Sequence, residues 1–185
     1  MPMEMAGAAP AVVTLTVDQI YRMHAADVAR WISRLGGPGT DLEDLTQEVF
    51  ALVQKHLGSY RGEAQITTWL FQIAANVVRA HRRRERWRSF FGRSHDVADG
   101  TTGEAPASAD DRIAQREARE LVYRALDRLK ERYRTAIILF EIEDLPGEQV
   151  AELMGVSTAN VWVLLHRARA ELTEQIKIIR EEDDR

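Results

Sequence analysis

The sequence predicts an all-α fold, two small helical domains joined by a flexible acidic linker. Three observations carry that prediction. Apolar residues recur with a period of about 3.6 almost throughout, and two-residue alternation is nearly absent. Residues 94–111, SHDVADGTTGEAPASADD, are small, polar and acidic, with too little apolar surface to fold alone. Residues 145–172, LPGEQVAELMGVSTANVWVLLHRARAEL, read as a helix, a tight turn and a second helix.

Taken in order, residues 1–14 read as a disordered start. A first helix is predicted from about Val17 to Leu35, with Ile20, Met23, His24, Val28, Trp31 and Leu35 on its inner side. The run Gly36-Gly37-Pro38-Gly39 ends it, because glycine and proline disfavour continuation. A second helix starts near Thr40 or Asp41 and runs to about Leu57; Gly58 to Gln65 is a loop; a third helix runs from about Ile66 to Arg86. Beyond the linker lie a helix from about Arg112 to Leu129, another near Tyr133 to Glu143, and the helix–turn–helix. In that motif Val150, Ala151 and Met154 face inward, and Ala151 is small where two helices cross. Gly155 supplies the left-handed stop and Ser157 caps the next helix. Val161, Leu165, Ala168 and Leu172 then recur at helical spacing. The second helix of such a motif enters the DNA major groove. EEDDR, residues 181–185, reads as a charged tail.

The 185 residues carry a net charge of −4, but the charge is unevenly spread. Residues 79–93 hold 7 Arg and 1 Glu, whereas residues 94–111 hold 5 acids and no Lys or Arg. One arginine block in an acidic chain argues against nucleic-acid binding by the whole surface. With no cysteine, disulfides, thiol redox chemistry and cysteine zinc sites are excluded. The five histidines, His24, His56, His81, His95 and His166, have no metal-ligand spacing. No glycine-rich phosphate loop or nucleophile–base pair appears, so the expectation is a protein that is not an enzyme, with no cofactor and no metal. No apolar run reaches membrane-spanning length, and the first residues lack the basic start of a signal peptide, so a cytoplasmic location is expected.

Two helix faces stand out. With Leu42, Leu45, Val49 and Val53 as the buried stripe of the second helix, Asp44, Gln47, Glu48, Ala51 and Lys55 fall opposite. Asp41 and Glu43 add negative charge at the helix N-terminus, where the macrodipole favours it. On the third helix, a buried stripe of Ile66, Leu70, Ile73, Ala74, Val77 and His81 leaves Trp69, Gln72, Asn76, Arg79 and Arg83 on one surface. A ring, two amides and two guanidiniums suit unstacked bases, by stacking, edge reading and phosphate contact. Arg82 and the block through Arg88 extend the positive strip.

The string DLTQEVF, Asp44 to Phe50, resembles the polymerase-binding helix of bacterial sigma factors. YRGEAQITTWLFQIAANVVRAHRRR resembles the promoter-melting element of the extracytoplasmic-function (ECF) sigma factors. The resemblance covers about residues 17–88 and 112–175, including the helix pair that leads into the helix–turn–helix. It implies sigma domain two at residues 15–93, a linker at 94–111 and sigma domain four at 112–180. It also implies that Asp44, Gln47 and Glu48, with Asp41 and Ala51 beside them, dock on core RNA polymerase. The loop Tyr60, Arg61, Gly62 and Glu63 would pocket a flipped minus-ten base, with Trp69 and Asn76 at the strand junction and Gln72, Arg79, Arg82 and Arg83 along the strand. The linker would thread into the polymerase. An anti-sigma factor is the implied regulator.

The recognition helix departs from the family. Trp162 and Leu164 stand where Lys or Arg is usual. The residues expected at the minus-thirty-five duplex are Ser157, Asn160, Trp162, Val163, His166, Arg167 and Arg169, with Val163 placed to meet a thymine methyl. Trp162 docking on a protein partner is a rival account. Two other readings stand beside that of an initiation subunit: a stand-alone helix–turn–helix repressor, which usually dimerises to read paired half-sites, and an adaptor with the same fold that binds only protein.

Overall fold

The computed structural model describes residues 15–90 and 109–185; the expected disordered start and linker residues 94–108 lie outside them. Among the described residues every regular element is helical. Helix α1 (Val17–Gly36) opens on a capping box. The Thr16 hydroxyl accepts from the Gln19 backbone N–H at 3.3 Å, and the Gln19 side chain accepts from the Thr16 N–H at 2.9 Å. Helix α2 (Leu42–His56) runs into a single 3₁₀ turn (Leu57–Ser59), and α3 spans Ile66–Phe90. Val28, Ile32, Leu45, Val49, Leu70, Ala74 and Val77 fill the space between the three, and the Trp31 ring meets Phe71 edge-on at 5.4 Å. Two expected core positions are wrong. Met23 and Leu42 lie exposed, because α1 and α2 rotate to bury Ile32 and Phe50 instead.

The second unit contains α4 (Ala109–Arg128), α5 (Glu131–Ile137), α6 (Gly147–Met154) and α7 (Thr158–Asp183). Helix α5 continues as a π-helical turn over Ile138–Ile142, closed by the Glu143 N–H on the Ile138 carbonyl at 2.9 Å. At the tight turn Gly155 takes φ 64, ψ 39, and the Val156 N–H reaches the Ala151 carbonyl at 3.0 Å. Ser157 then caps α7, accepting from the Asn160 N–H at 3.3 Å. Val150, Ala151, Leu153, Val161, Leu165 and Ala168 are buried where α6 crosses α7. The expected tail at 181–185 is largely the last turn of α7. Arg124 grips Asp183 through two bonds of 2.8 Å, and Arg128 grips Glu182 at 2.6 and 3.2 Å.

The two units lie against each other, and their buried apolar side chains form one continuous cluster. Tyr123 of α4 packs its ring on Gly37, where a β-carbon would stand 2.6 Å away and φ is +87. Its hydroxyl donates to the Arg34 carbonyl at 3.1 Å. Arg134, fully buried, donates to the Leu35 carbonyl at 2.7 Å at the end of α1. No described helix is long and apolar enough to cross a membrane.

Candidate polymerase and nucleic-acid interfaces

Helix α2 presents an acidic face, but its members differ in freedom. Asp41 is the N-cap, its carboxylate accepting from the Asp44 N–H at 3.0 Å. It holds the helix end while staying exposed on the same face. Glu48 is half-buried and paired with Arg84 of α3 at 3.3 Å. Asp44, Gln47 and Ala51 are exposed. Beside them runs a groove of about 670 Å³ lined by Val17, Tyr21, Leu42, Gln47, Phe50 and Gln54, in which Tyr21 meets the Phe50 ring at 4.8 Å. The groove was missed in the sequence. Val17 and Tyr21 lie four apart, off the Ile20–Val28 stripe, which is the signal of a second apolar face on α1.

The loop before α3 forms a cup of about 360 Å³ lined by Ser59, Tyr60, Arg61, Glu63, Ala64 and Trp69. The rings of Tyr60 and Trp69 stand 5.1 Å apart, and the Tyr60 hydroxyl donates to the Ala64 carbonyl at 2.6 Å, which fixes the ring. Gly62 takes φ +72 at the rim. Two aromatic faces with Arg61 and Glu63 beside them can stack a base and hydrogen-bond its edge.

Along α3 the expected strand contacts divide into two rows. Trp69, Asn76 and Arg83 lie on a row that is half-buried at Trp69 and exposed at Asn76 and Arg83. Thr68, Gln72, Ala75, Arg79 and Arg82 lie on the next row, against the C-terminal unit. Gln72 donates to the Leu153 carbonyl at 2.6 Å, and Thr68 to Glu152 at 3.3 Å. Arg79 donates to Asn76 at 3.3 Å and sits 3.9 Å from Glu131. Arg82 is only 8% exposed and pairs with Asp127 at 2.8 Å and Glu131 at 3.1 Å. Arg82 as an exposed strand contact is therefore corrected: in this arrangement carboxylates of α4 and α5 hold it.

Arg134 shares the Asp127 carboxylate at 3.0 Å, out of hydrogen-bond alignment, and lies over the Tyr123 ring at 5.7 Å. Burial pushes its guanidinium down to about 10, with repulsion from Arg82 adding to the effect. Burial likewise raises the Tyr123 hydroxyl.

On the recognition helix Asn160, Val163, His166 and Arg167 are exposed together. Ser157 is occupied as the cap. Arg169 is committed to Glu141 at 2.8 Å and to the Phe140 ring at 5.7 Å, so the structure does not present it with the others. Trp162, 49% exposed, rests edge-on against Phe140 at 5.3 Å and over Gly147. Leu164 is half-buried. Among the described residues, no three His, Asp or Glu side chains gather as a metal site.

Known proteins align with both units. Residues 20–88 match the family Sigma-70 region 2, and residues 119–172 match Sigma-70, region 4. The chain is 28% identical to the RNA polymerase sigma factor YlaC of Bacillus subtilis, over 91% of this chain and 96% of that one. It is 29% identical to the ECF RNA polymerase sigma factor SigM of the same organism, over 85% and 93%. Among solved structures it resembles the sigma factor RpoE of Bartonella quintana bound to the anti-sigma factor NepR, at 22% identity and TM-score 0.57, covering 87% of this chain and 96% of that one. A stand-alone repressor accounts for the second family match and leaves the first without a role. The two matches lie in the order expected of one family and span most of the chain, which belongs to the sigma-70 family, among the extracytoplasmic-function sigma factors that direct RNA polymerase to promoters.

Proposed function

We propose that α2 docks this chain on core RNA polymerase through Asp44, Gln47 and Glu48, with the groove beside Tyr21 and Phe50 taking an apolar side of the partner. The cup between Tyr60 and Trp69 receives a minus-ten base flipped from the duplex. Asn76 and Arg83 follow the separated strand. Asn160, Val163, His166 and Arg167 face the minus-thirty-five duplex. The observation that carries this reading is the aromatic cup at the foot of a basic helix, on the same unit as the acidic face of α2. Capturing the displaced base offsets part of the unstacking cost, a few kcal/mol per step, without ATP.

No catalytic residue or cofactor belongs to this reading, and the working compartment is the cytoplasm, where polymerase and promoters meet. An anti-sigma factor is the regulator that the reading calls for; the likeness to a sigma factor solved with one supports this. Run-off transcription with purified core polymerase on a promoter library tests the function. Core-dependent transcripts are expected with the wild type and are lost with Asp44→Ala/Glu48→Arg. Promoter binding without polymerase and no transcripts would favour a repressor.

A further inference from the structure

Helix α7 buries Val161, Leu165 and Ala168 against the rest of its unit. The ridge opposite that stripe is Ala159, Val163, His166 and Ala170, spaced by four, three and four residues and exposed throughout. No Lys, Arg, Asp or Glu stands on it. The ridge points straight away from the core, so it reaches deepest when α7 enters a major groove. Val163, 46% exposed, is its branched apolar side chain. Ala159 and Ala170 on either side are small and let the helix seat closely. Positive charge around the ridge is sparse. Arg169 is held by Glu141 at 2.8 Å and lies over the Phe140 ring, while Arg167 stands beside the ridge with Asn160. Among the described residues 158–170, that leaves Arg167 as the guanidinium available to a phosphate or a guanine.

We propose that Val163 is a specificity-determining residue: it reads the C5 methyl group of a thymine in the minus-thirty-five element, and this apolar contact, more than phosphate attraction, selects the duplex. The proposal rests on the functional reading above and names what α7 recognises there. In the major groove thymine shows an O4 acceptor and the C5 methyl. Val163 has no donor for the acceptor and two exposed methyl groups for the methyl. Cytosine lacks that methyl, and a purine presents its N7 acceptor to a side chain that cannot pair with it. A polar base edge shut against an apolar group without water costs free energy, so the same valine that accepts thymine disfavours the other bases. The Trp162 indole, seated on Phe140 and over Gly147, fixes the rotation of α7 and with it the direction in which Val163 points.

The test uses the full chain with core polymerase and a promoter that this holoenzyme transcribes. Each thymine of the minus-thirty-five element, on either strand, is replaced in turn by deoxyuridine, which keeps every hydrogen-bonding group and removes the methyl alone. At one position the loss of a buried methyl is expected to weaken holoenzyme binding about fourfold. Val163→Ala is expected to bind the thymine promoter about fourfold more weakly and to lose the distinction between thymine and uracil at that position. The deoxyuridine arm needs no variant, so it decides even where Val163→Ala lowers stability. Equal affinity for the thymine promoter and every uracil promoter overturns methyl reading and leaves the sigma function intact. So does a minus-thirty-five element without a T·A pair, or a Val163→Ala protein that discriminates as fully as wild type at every position. Absence of transcription from wild-type holoenzyme on every promoter of the library overturns the functional reading, and the proposal with it.

Discussion

The indole of Trp162 lies so close over Gly147 that a β-carbon there would stand 2.9 Å from the ring. The tryptophan thus wedges the recognition helix against the start of α6 and the Phe140 ring, and only glycine leaves room for it. Gly147→Ala is expected to lower stability by about 1–2 kcal/mol through overpacking. It should also weaken duplex binding by re-aiming α7. Trp162→Ala removes the edge-to-face pair, worth about 0.5–1.5 kcal/mol beyond its buried area, and should lower the melting temperature of the full chain. If that variant melts like wild type and loses only promoter contacts, Trp162 reads DNA and is not a wedge.

The Tyr60–Trp69 cup predicts a measurable base. Stacking on an aromatic side chain is worth about 1–3 kcal/mol per base. Trp69→Ala should therefore weaken capture of a minus-ten strand about 5- to 150-fold. A 2-aminopurine placed at the flipped position should be quenched by wild-type holoenzyme and stay bright with the variant. Tyr60→Phe removes the bond to the Ala64 carbonyl and should have a smaller effect, through a looser ring. Equal quenching by Trp69→Ala and wild type would place the flipped base elsewhere.

The helices, the cap at Ser157 and the turn at Gly155 were legible in the sequence because each is set by neighbours within a few residues; the capping box at Thr16 and Gln19 was equally local but was not read. The acidic face of α2 and the loop before α3 were legible for the same reason. The fate of Arg82 was not. Its class, position and charge all suit a phosphate, and only the docking of α4 and α5 turns it to Asp127 and Glu131. Arg169 follows the same logic, drawn to Glu141 by a turn that continues α5 as a π-helix. The tail EEDDR looked solvated because its partners, Arg124 and Arg128, lie more than fifty residues upstream. A periodicity argument reports which side of a helix is apolar; it is silent on which charged residues will meet across the fold.

That clamp at the end of α7 has a pH dependence with a definite sign. Hydrogen bonds from Arg128 and Arg124 hold the Glu182 and Asp183 carboxyls below their ordinary values of 4.5 and 3.8. Groups with a depressed folded-state value contribute stability above the unfolded value and lose it as pH falls through the folded one. The last turn of α7 is thus expected to be held at pH 7 and to loosen below about pH 4. Both pairs are exposed, so salt should weaken them as well. Backbone relaxation by NMR at residues 179–184 reads this directly. A last turn as rigid at pH 3 in high salt as at pH 7 would mean that apolar packing around Ile179 holds it instead.

Helix α2 separates two acidic residues that the sequence placed together. Asp41 spends its carboxylate on the Asp44 N–H, so Asp41→Ala should destabilise the fold by about 1 kcal/mol, whereas Asp41→Asn keeps an equivalent cap. Neither substitution is expected to alter polymerase affinity once the protein is folded. Asp44 points the other way in function: exposed and without a structural bond from its side chain, Asp44→Arg should lower stability by no more than about 1 kcal/mol, through the helix macrodipole. The same change places a positive charge before a basic partner and should weaken core binding about tenfold or more. Fluorescence anisotropy of labelled protein titrated with core polymerase, beside thermal melts of the same samples, separates the two roles. Polymerase affinity lost with Asp41→Asn and kept with Asp44→Arg would reverse the assignment and move the docking charge to the helix cap.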